Sequence, residues 1–381
     1  MRPMNDPHRL TRRHCLAGGA AGLALGLAGC AARPEERSAY PRPYSRQPWA
    51  APRISPSAVI REVVGHRPYR PAGLRVESER LDDTLVVHNY GHGGGGLSLG
   101  WGSSALAVRE VAGQSPGKVA VLGSGIMGLT TARLLQDAGW SVTIYTRDVY
   151  RHTTSNVAAG EWGPFSTHDE ARVDETFRSR LTWAAQVSHH AYTNLVGPKY
   201  GIRFLEEYQF RSRRPELSAP GPIEKLFAYR GVIGPGEHPF GERWAVREVT
   251  LQIDPGTLLR QLTADVQLAG GRFDIRHFSR LDEVLALDED VVFNCTGLGA
   301  RALFGDEGLV PIKGQLVFLP PDPAVDYMTI GGGDGLLYMF PRSDVLLLGG
   351  TYRMGDWSRN VEPDETERIV SAHQALFSDF G

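Results

Sequence analysis

Three glycines in the spacing G-x-G-x-x-G, Gly123, Gly125 and Gly128, point more directly to a chemistry than any other residues of this chain. In a turn from a strand to a helix, the first glycine allows the tight turn and the second lets a pyrophosphate approach the backbone. The third lets the helix and the strand pack closely. Asp148 follows about 20 residues later, where a carboxylate holds a ribose hydroxyl in dinucleotide sites. These residues predict a dinucleotide site, but they do not separate FAD from a nicotinamide cofactor.

The sequence around these glycines supplies the elements that such a site needs. Residues 119–122 are an apolar run that predicts a buried parallel strand. From Ile126 onward, apolar residues recur at helical spacing until Gly139 ends the helix. Residues 142–145 predict a second strand. The order of strand, glycine turn, helix and strand favours a Rossmann-like α/β unit.

A second glycine run, residues 91–96, also lies between a predicted strand, 85–89, and a predicted helix, 103–111. Glycines let a backbone approach a flat ligand closely. We therefore interpret this run as a loop packed against a ligand rather than as a flexible linker.

The rest of the chain alternates between helical and strand patterns, and residues 212–244 predict a loop. Helices are predicted at 175–195, at 365–377 and after Asp254 through about residue 268. Strands are predicted at 202–210, 271–275 and 291–294, and strands of a second, more antiparallel sheet at 314–318, 336–340 and 345–348.

The composition is that of a globular protein. The chain has 381 residues, a formal net charge of -2 and 41% hydrophobic residues. A charge this small creates no field that draws the chain to nucleic acid, so we expect no such partner. The three cysteines, Cys15, Cys30 and Cys295, form no pair with metal-ligand spacing. We therefore expect neither a metal site nor a disulfide framework.

Residues 1–30 have the pattern of an export signal. Arg12 and Arg13 precede a short Ala-, Gly- and Leu-rich segment, and adjacent arginines are typical of twin-arginine signals. Small residues lead to Cys30, as in a lipoprotein cleavage box, where the cysteine carries the lipid. We therefore expect an exported, periplasmic or cell-envelope protein with a membrane anchor at Cys30, and a plain secretory leader is the alternative. Residues 31–52 are proline-rich and predict a linker without a core.

Several segments of the chain resemble the D-amino-acid oxidase family of FAD flavoproteins, and together they sample nearly everything after the linker. In chain order they are GHRPYRP, HNYGHGGGGLSLGWG, VLGSGIMGLTTARLLQ, TTSNVAAGEW, VVFNCTGLGARAL, KGQLVFL and YMFPRSDVLLLGGTYRMGDW. In the family, the first two come at the C-terminal end, after the L-G-G-T…G-D-W strand and its helix. The resemblance therefore implies a circular permutation in which residues 112–117 join the family's last helix to its first strand. A truncated protein with an unrelated N-terminal extension is the alternative.

The fold that this resemblance implies is α/β, with a Rossmann-like FAD-binding domain and a second, mainly antiparallel-sheet substrate domain, circularly permuted. Residues 84–165 and 260–310 correspond to the FAD-binding domain. Residues 53–83, 166–259 and 311–381 correspond to the substrate domain.

The resemblance also implies roles for residues that match the family's motifs. Arg67 matches the arginine that grips the substrate carboxylate, and Tyr338 matches a tyrosine that assists it. A second tyrosine of many members is absent, and Asp334 stands near its place. The residues that match FAD contacts are Gly93, Gly94, Gly95, Gly96, Leu97, Ser98, Gly123, Gly125, Ile126, Gly128, Arg147, Asp148, Thr153, Thr154, Ser155, Ala159, Gly160, Glu161, Phe278 and Thr296.

The implied activity is the FAD-dependent oxidative deamination of a D-amino acid. Hydride passes from Cα to flavin N5, dioxygen is reduced to hydrogen peroxide, and water converts the imino acid to a 2-oxo acid and ammonia. Arg67 suits the carboxylate because a planar guanidinium binds it bidentately, which a lysine cannot reproduce. An acidic substrate side chain would be recognised by Arg342 or Arg353.

Three other functions compete with this one. The first is another FAD amine oxidase, acting on glycine or secondary amines. The second is a flavin-binding lipoprotein without oxidase activity. The third is a nicotinamide dehydrogenase, which would have no use for the second glycine run.

Overall fold

The computed structural model describes residues 42–45, 47–333, 335–378 and 380, and within them the chain forms two β-sheets and eight α-helices. The predicted export segment 1–30 and Asp334 lie outside these residues. The strands, in chain order, are β1 (Arg61–Tyr69), β2 (Arg75–Leu81), β3 (Thr84–Tyr90), β4 (Lys118–Leu122), β5 (Ser141–Thr146), β6 (Ile202–Arg211), β7 (Tyr229–Ile233), β8 (Trp244–Ile253), β9 (Arg272–Ile275), β10 (Val291–Asn294), β11 (Val310–Leu319), β12 (Tyr327–Ile330), β13 (Tyr338–Pro341), β14 (Leu346–Gly349) and β15 (Arg353–Met354). The helices are α1 (Gly96–Arg109), α2 (Ile126–Asp137), α3 (Thr154–Val157), α4 (Glu175–Asn194), α5 (Pro255–Leu268), α6 (Leu281–Leu285), α7 (Gly299–Leu303) and α8 (Pro363–Phe377).

The smaller sheet has six strands in the order β2-β3-β10-β4-β5-β9, and all of them except β2 are parallel. Val119 and Val121 of β4 pack beneath α1, α2 and α5. Ala120 and Leu122 face the opposite cluster, which includes Val284 of α6. Both faces are covered, so the strand is apolar from residue 119 to residue 122. The expected Rossmann-like arrangement around the glycine motif is confirmed.

Helices α1, α2, α4 and α5 pack side by side over one face of this sheet. The closest approach is at Gly102 of α1, whose amide donates to Ser188 Oγ of α4 at 2.7 Å. A Cβ at Gly102 would lie 1.9 Å from the Ala184 carbonyl oxygen, so a larger residue would separate the two helices. In the described part of the chain, no helix combines the length and the apolar character needed to cross a membrane.

The larger sheet has nine strands. Its main path is β1-β11-β14-β13-β12-β6-β8-β7, β15 pairs with β11, and only β6 and β12 pair in parallel. One face packs against α8 and an aromatic cluster that includes Tyr208, Phe240 and Tyr327. The other face contacts Val157 of α3 and Ala159, which follows α3. The expected second, mainly antiparallel sheet is confirmed.

Three elements differ from the sequence-based expectations. Strand β2, which the sequence groups with residues 53–83 of the substrate domain, pairs with β3 and forms an edge of the smaller sheet. Strand β7 lies within the predicted loop 212–244, where pairing with β8 provides order that its own sequence does not indicate. Helix α1 begins at Gly96 instead of about residue 103, although glycines oppose helix formation.

The predicted linker 31–52 is wrong at its C-terminal end. Arg42 is buried, and its Nε lies 2.9 Å from a carboxylate oxygen of the buried Glu206. Trp49 packs edge-on against Phe240 of the aromatic cluster, with ring centroids 5.2 Å apart. A segment with few apolar residues is thus ordered by the ion pairs of Arg42 and the aromatic contacts of Trp49.

We expect Gly102→Ala to lower the free energy of unfolding by roughly 1–3 kcal/mol, the range for overpacked interiors. The added methyl group must push α1 away from the backbone of α4, which outweighs the helix-propensity gain of about 1 kcal/mol. Urea unfolding measures the effect. Gly113→Ala is the matched control, since a Cβ there meets nothing within 4 Å. Equal stability of the two variants would show that the helix pair does not need this close approach.

Candidate active site

Five segments that the sequence links to cofactor binding follow the carboxyl ends of five parallel strands. The strands are β3, β10, β4, β5 and β9, and parallel strands bring their carboxyl ends to one edge of the sheet. The corresponding residues are Gly93 after β3, Thr296 after β10, Gly123 after β4, Arg147 after β5 and Phe278 after β9. In open α/β sheets, ligands bind at this edge. The fold therefore gathers segments that lie far apart in the sequence.

The first glycine motif forms a turn that excludes larger residues. Gly123 has φ +105°, and a Cβ at Gly128 would lie 1.9 Å from the Gly123 carbonyl oxygen. Gly125 is the N-cap of α2 and has no side chain that could cap the helix. The amide of Ile126 donates a hydrogen bond to Ser155 Oγ at 3.0 Å. The amides at a helix N-terminus favour a bound anion such as a pyrophosphate. This turn fits a dinucleotide cofactor.

The second glycine run packs against β1. The amide of Gly93 donates to the Pro68 carbonyl oxygen at 2.9 Å. Gly94 has φ +103°, and a Cβ there would lie 2.9 Å from Arg67 Cδ. A Cβ at Gly93 would lie 2.4 Å from the Ser166 carbonyl oxygen. A side chain at Gly93 would press on the backbone of residue 166, and one at Gly94 would press on the Arg67 side chain, so the run is a packed loop and not a free linker.

The end of this run opens α1 and joins it to the loop after α3. Residues 95–97 are the N-cap and the first two residues of the helix. Ser98 Oγ accepts a hydrogen bond from the Gly163 amide at 3.0 Å and donates to the Glu161 carbonyl oxygen at 3.4 Å. Ser98 therefore fixes the loop that carries Glu161 beside the second glycine run.

A buried polar network supports the second glycine run. The His92 ring Nε2 lies 2.7 Å from Ser103 Oγ, which donates to Asn89 Oδ1 at 2.6 Å. Asn89 Nδ2 in turn donates to Ser104 Oγ at 3.1 Å. Burial lowers the pKa of His92 to about 3, so the ring is neutral and takes part in the network without a charge.

The remaining expected cofactor residues lie in the segment that follows β5, in different environments. Arg147 and Asp148 are partly exposed and form an ion pair with each other at 2.7 Å. Thr153 and Thr154 begin α3, and Thr153 Oγ1 donates to the Tyr150 carbonyl oxygen at 2.7 Å. Gly160 has φ +95°, which favours glycine.

Arg67 and Tyr338, the expected substrate residues, lie on the same face of the larger sheet. Residues paired across a ladder share a face, and alternate residues along a strand return to it. This face is the one that contacts Val157 and Ala159. The pairs that define it are Arg67–Ile312, Leu316–Gly349, Gly349–Tyr338, Tyr338–Ile330, Ile330–Gln209 and Glu207–Glu248.

The side chains of Arg67 and Tyr338 form a corner suited to an anion. Among the described residues, no carboxylate lies within ion-pair distance of the Arg67 guanidinium. Burial raises the pKa of Tyr338, and the nearby charge of Arg67 opposes that rise. An arginine without a counter-ion leaves its planar fork available for a carboxylate. We call Arg67 and Tyr338 the anion corner.

Sequence reasoning missed an acidic cluster on this face. Glu207 and Glu248 are cross-strand partners on β6 and β8, and Glu161 joins them from a segment paired with β8. Burial raises the pKa of Glu161 to about 7, against the opposing effect of a hydrogen bond with Glu207. Burial also raises the pKa of Glu207 well above its usual range. The sequence offered one signal for this cluster, since Glu206 and Glu207 are adjacent within a predicted strand. Consecutive strand residues point to opposite faces of a sheet, so one of the two glutamates must face the site.

The two arginines considered for an acidic substrate side chain have other partners. Arg342 Nη2 lies 2.7 Å from Asp344 Oδ2, and its Nη1 donates to the Asn156 carbonyl oxygen at 3.2 Å. Arg353 is exposed and donates to Glu362 at 2.7 Å. Neither is positioned to recognise a substrate. Within the described ranges, no group of His, Cys, Asp and Glu side chains is arranged to hold a metal ion.

The chain matches a known protein family and known proteins over about two thirds of its length. The family model described as FAD dependent oxidoreductase (DAO) matches residues 118–381. The D-amino-acid oxidase of Rubrobacter xylanophilus is 31% identical over 264 residues, which cover 68% of this chain and 77% of that protein. The D-amino-acid oxidase of Streptomyces coelicolor is 31% identical over 271 residues, covering 70% and 80%.

A solved structure supports the same fold. Glycine oxidase from Geobacillus kaustophilus is similar with a TM-score of 0.50 and 17% identity, and the match covers 70% of this chain and 80% of that one. At this identity the similarity concerns the fold alone. The glycine turn before α2 and the loops around it fit the FAD that the family uses. This chain therefore belongs to the DAO family and is an FAD-dependent oxidoreductase of the amino-acid-oxidase type.

Proposed function

We propose that this protein oxidatively deaminates D-amino acids to 2-oxo acids, ammonia and hydrogen peroxide. The observation that carries the proposal is the anion corner, in which a guanidinium without a counter-ion lies beside a tyrosine and against Gly94 of the second glycine run. A D-amino acid supplies the carboxylate that this corner lacks. The activity named for the two bacterial relatives also supports the proposal.

The chain's own residues act by binding and orientation. FAD, which the glycine turn at Gly123, Gly125 and Gly128 would hold, would supply the two-electron oxidation at the substrate Cα and the reduction of dioxygen to hydrogen peroxide. Arg67 holds the substrate carboxylate bidentately, and the Tyr338 hydroxyl donates to one of its oxygens. Two points of attachment at one end of the substrate fix the plane of its carboxylate and the position of Cα beside it, which limits how the Cα–H bond can be oriented. Water hydrolyses the imino acid to the oxo acid and ammonia, so this step needs no protein base.

We also propose that the chain is a circular permutant of the family fold. The family match begins at residue 118, directly after the exposed connection 112–117. The residues before it supply β1 to the larger sheet and both β2 and β3 to the smaller one. At the other end, Gln374 Nε2 of α8 donates to the Ile54 carbonyl oxygen at 3.1 Å, so α8 lies beside the entry to β1. Neighbouring ends and an exposed connection are what a permutation requires.

We further propose that residues 1–30 direct export to the periplasm or cell envelope and that Cys30 carries a lipid anchor. The basic start, the short apolar segment and the small residues before Cys30 support this proposal.

Arg67→Ala should lower kcat/KM for D-alanine by roughly 100-fold to 1,000-fold or more, as expected when one partner of a buried charge pair is removed. The variant should keep its flavin absorbance, because Arg67 acts on the substrate. Arg67→Lys should stay impaired, since an ammonium cannot form the bidentate pair. Peroxide formation measures turnover.

Arg61→Ala is the control for this experiment, since Arg61 is exposed on the same strand. Unchanged turnover of D-alanine by Arg67→Ala would contradict the assignment. Faster turnover of glycine or sarcosine than of D-alanine would favour the competing amine oxidase.

A rearranged chain that starts at residue 118, continues to 380 and is joined by a short flexible linker to residues 57–117 should fold, bind flavin and turn over D-alanine. Loss of residues 57–117 should abolish flavin binding, because it removes three strands from the two sheets. Flavin absorbance and peroxide formation are the measurements. If the original chain is soluble and binds flavin while the rearranged chain binds none, the permutation is refuted.

Cys30→Ala should move the protein from the membrane fraction to the soluble envelope fraction and prevent labelling by a fatty-acid probe. Cys15→Ala is the control within the same segment. Membrane association that survives Cys30→Ala would rule out the anchor.

A further inference from the structure

Two carboxyl groups, of the partly buried Glu161 and the buried Glu207, lie near the anion corner without a cation among the described residues. Glu207 is fully buried. Within the described residues, Glu161 Oε1 and Glu207 Oε2 have no donor except the proton that the two carboxyls can share. In the same part of the chain, no basic side chain lies within ion-pair distance of either carboxyl. Buried carboxylates without a counter-ion are costly, so a cation that enters here is strongly stabilised.

The neighbouring charges are already matched. Arg230 Nε lies 2.6 Å from Glu248 Oε1, and Gln209 Nε2 donates to Glu248 Oε2 at 3.0 Å. Gln209 Nε2 also donates to Glu207 Oε1 at 2.8 Å, which orients that carboxyl. Of the three glutamates, Glu248 has its cation and the other two lack one.

Gln252 gives independent evidence that a donor is missing. Its side chain is 1% exposed, and its Nε2 donates to the carbonyl oxygens of Ala159 and Ile253, each at 3.2 Å. Its Oε1 has no donor within the described residues. Gln252 is the bridge partner of Glu161, so the two side chains lie on the same face. Three buried acceptors without a donor among the described residues therefore lie on this face, and a cation with several N–H groups suits acceptors of this kind.

This acidic group adjoins the anion corner. Burial is the main cause of the raised pKa of Glu161, and the charge of Arg67 opposes that rise. The charge of Glu161 in turn contributes to the raised pKa of Tyr338, which is due mainly to burial. The three side chains therefore lie within range of each other's charge on one face of the sheet. The carboxyl groups of Glu161 and Glu207 therefore lie near a ligand whose carboxylate is bound by Arg67.

We propose that Glu161, Glu207 and Gln252 bind the cationic end of the substrate side chain. The preferred substrates are then D-amino acids that end in an ammonium or guanidinium group, for which D-lysine and D-arginine are the test compounds. This inference rests on the proposed function and specifies the substrates of the same site. Arg67 holds one end of such a substrate, and the acidic group holds the other.

The bound cation replaces the proton that the two carboxyls share. The charged and titratable groups that face the pair are Arg67 of β1, Arg230 of β7, Glu248 of β8 and Tyr338 of β13. Since burial raises the pKa of Glu161 to about 7 and that of Glu207 well above its usual range, we expect the pair to retain a proton at neutral pH. We expect binding of the cation at pH 7 to release up to about one proton.

Steady-state peroxide formation by the flavin-loaded full chain tests the proposal. We expect kcat/KM for D-lysine and D-arginine to exceed that for D-norleucine, a neutral analogue of D-lysine, by at least about tenfold. Glu207→Gln should reduce the ratio of D-lysine to D-norleucine by at least about tenfold, chiefly through KM. Glu206→Gln is the matched control, because its carboxylate lies on the opposite face beside Arg42 and the ratio should not change.

Calorimetry gives a readout that does not depend on turnover. 6-Aminohexanoate carries the carboxylate and the ammonium of lysine without the reacting α-amine. Hexanoate, which has the same carboxylate but no ammonium, is the matched comparison. The flavin-loaded protein should bind 6-aminohexanoate more tightly, with proton release detected by comparing buffers of different ionisation enthalpy. Hexanoate should release no proton, and Glu207→Gln should bring the two affinities together.

The outcomes separate this inference from the proposed function. Turnover of D-alanine and D-norleucine without a preference for D-lysine, or a preference that survives Glu207→Gln, would overturn the inference alone. A yellow protein that releases no peroxide from any D-amino acid would overturn the proposed function. In that case equal binding of 6-aminohexanoate and hexanoate would overturn the inference as well, and tighter, proton-linked binding of 6-aminohexanoate would support it.

Discussion

The site depends on one close contact, where the backbone of the second glycine run lies against β1. The amide of Gly93 donates to Pro68, and Gly94 leaves the space through which the Arg67 side chain passes. Because the run follows β3 of the smaller sheet and β1 is an edge of the larger sheet, this contact sets the position of Arg67 relative to the cofactor loops. A side chain at Gly93 would press on the Ser166 carbonyl oxygen, and one at Gly94 would push the Arg67 side chain aside. The glycines therefore serve the geometry of the whole molecule as well as their own turn.

Charge is separated along the face of the larger sheet that meets those loops. Among the described residues, the Arg67 guanidinium has no carboxylate within ion-pair distance, and Glu161 and Glu207 have no basic side chain within that distance. Both arrangements oppose stability, because buried charges and acceptors without partners cost free energy. They persist because the surrounding sheet and cores are extensive, and sites of this kind usually trade stability for binding. A D-amino acid with a cationic side chain would relieve both costs, because its carboxylate would pair with Arg67 and its side chain with the two carboxyl groups.

The segment before residue 118 is part of both sheets. It provides the edge strand of the larger sheet and two strands of the smaller one, and it carries Arg67 and the second glycine run. The site therefore cannot form from the family-matched portion of the chain alone. Position in the sequence has little bearing on this result, since strands pair by proximity in the folded chain and not by their order.

The sequence by itself determined the features that consecutive residues control. The strand, turn and helix around Gly123 follow from a short apolar run, a helical period and the space that Gly128 must leave empty. The resemblance added Arg67 and Tyr338, which the fold brings to one face. Only the tertiary structure decided that Glu207 faces the site while Glu206 faces away, that β7 forms within a loop-like stretch, and that Trp49 belongs to a core. These outcomes depend on the register between strands far apart in the chain, and a shift of one residue would reverse which side chains meet the site.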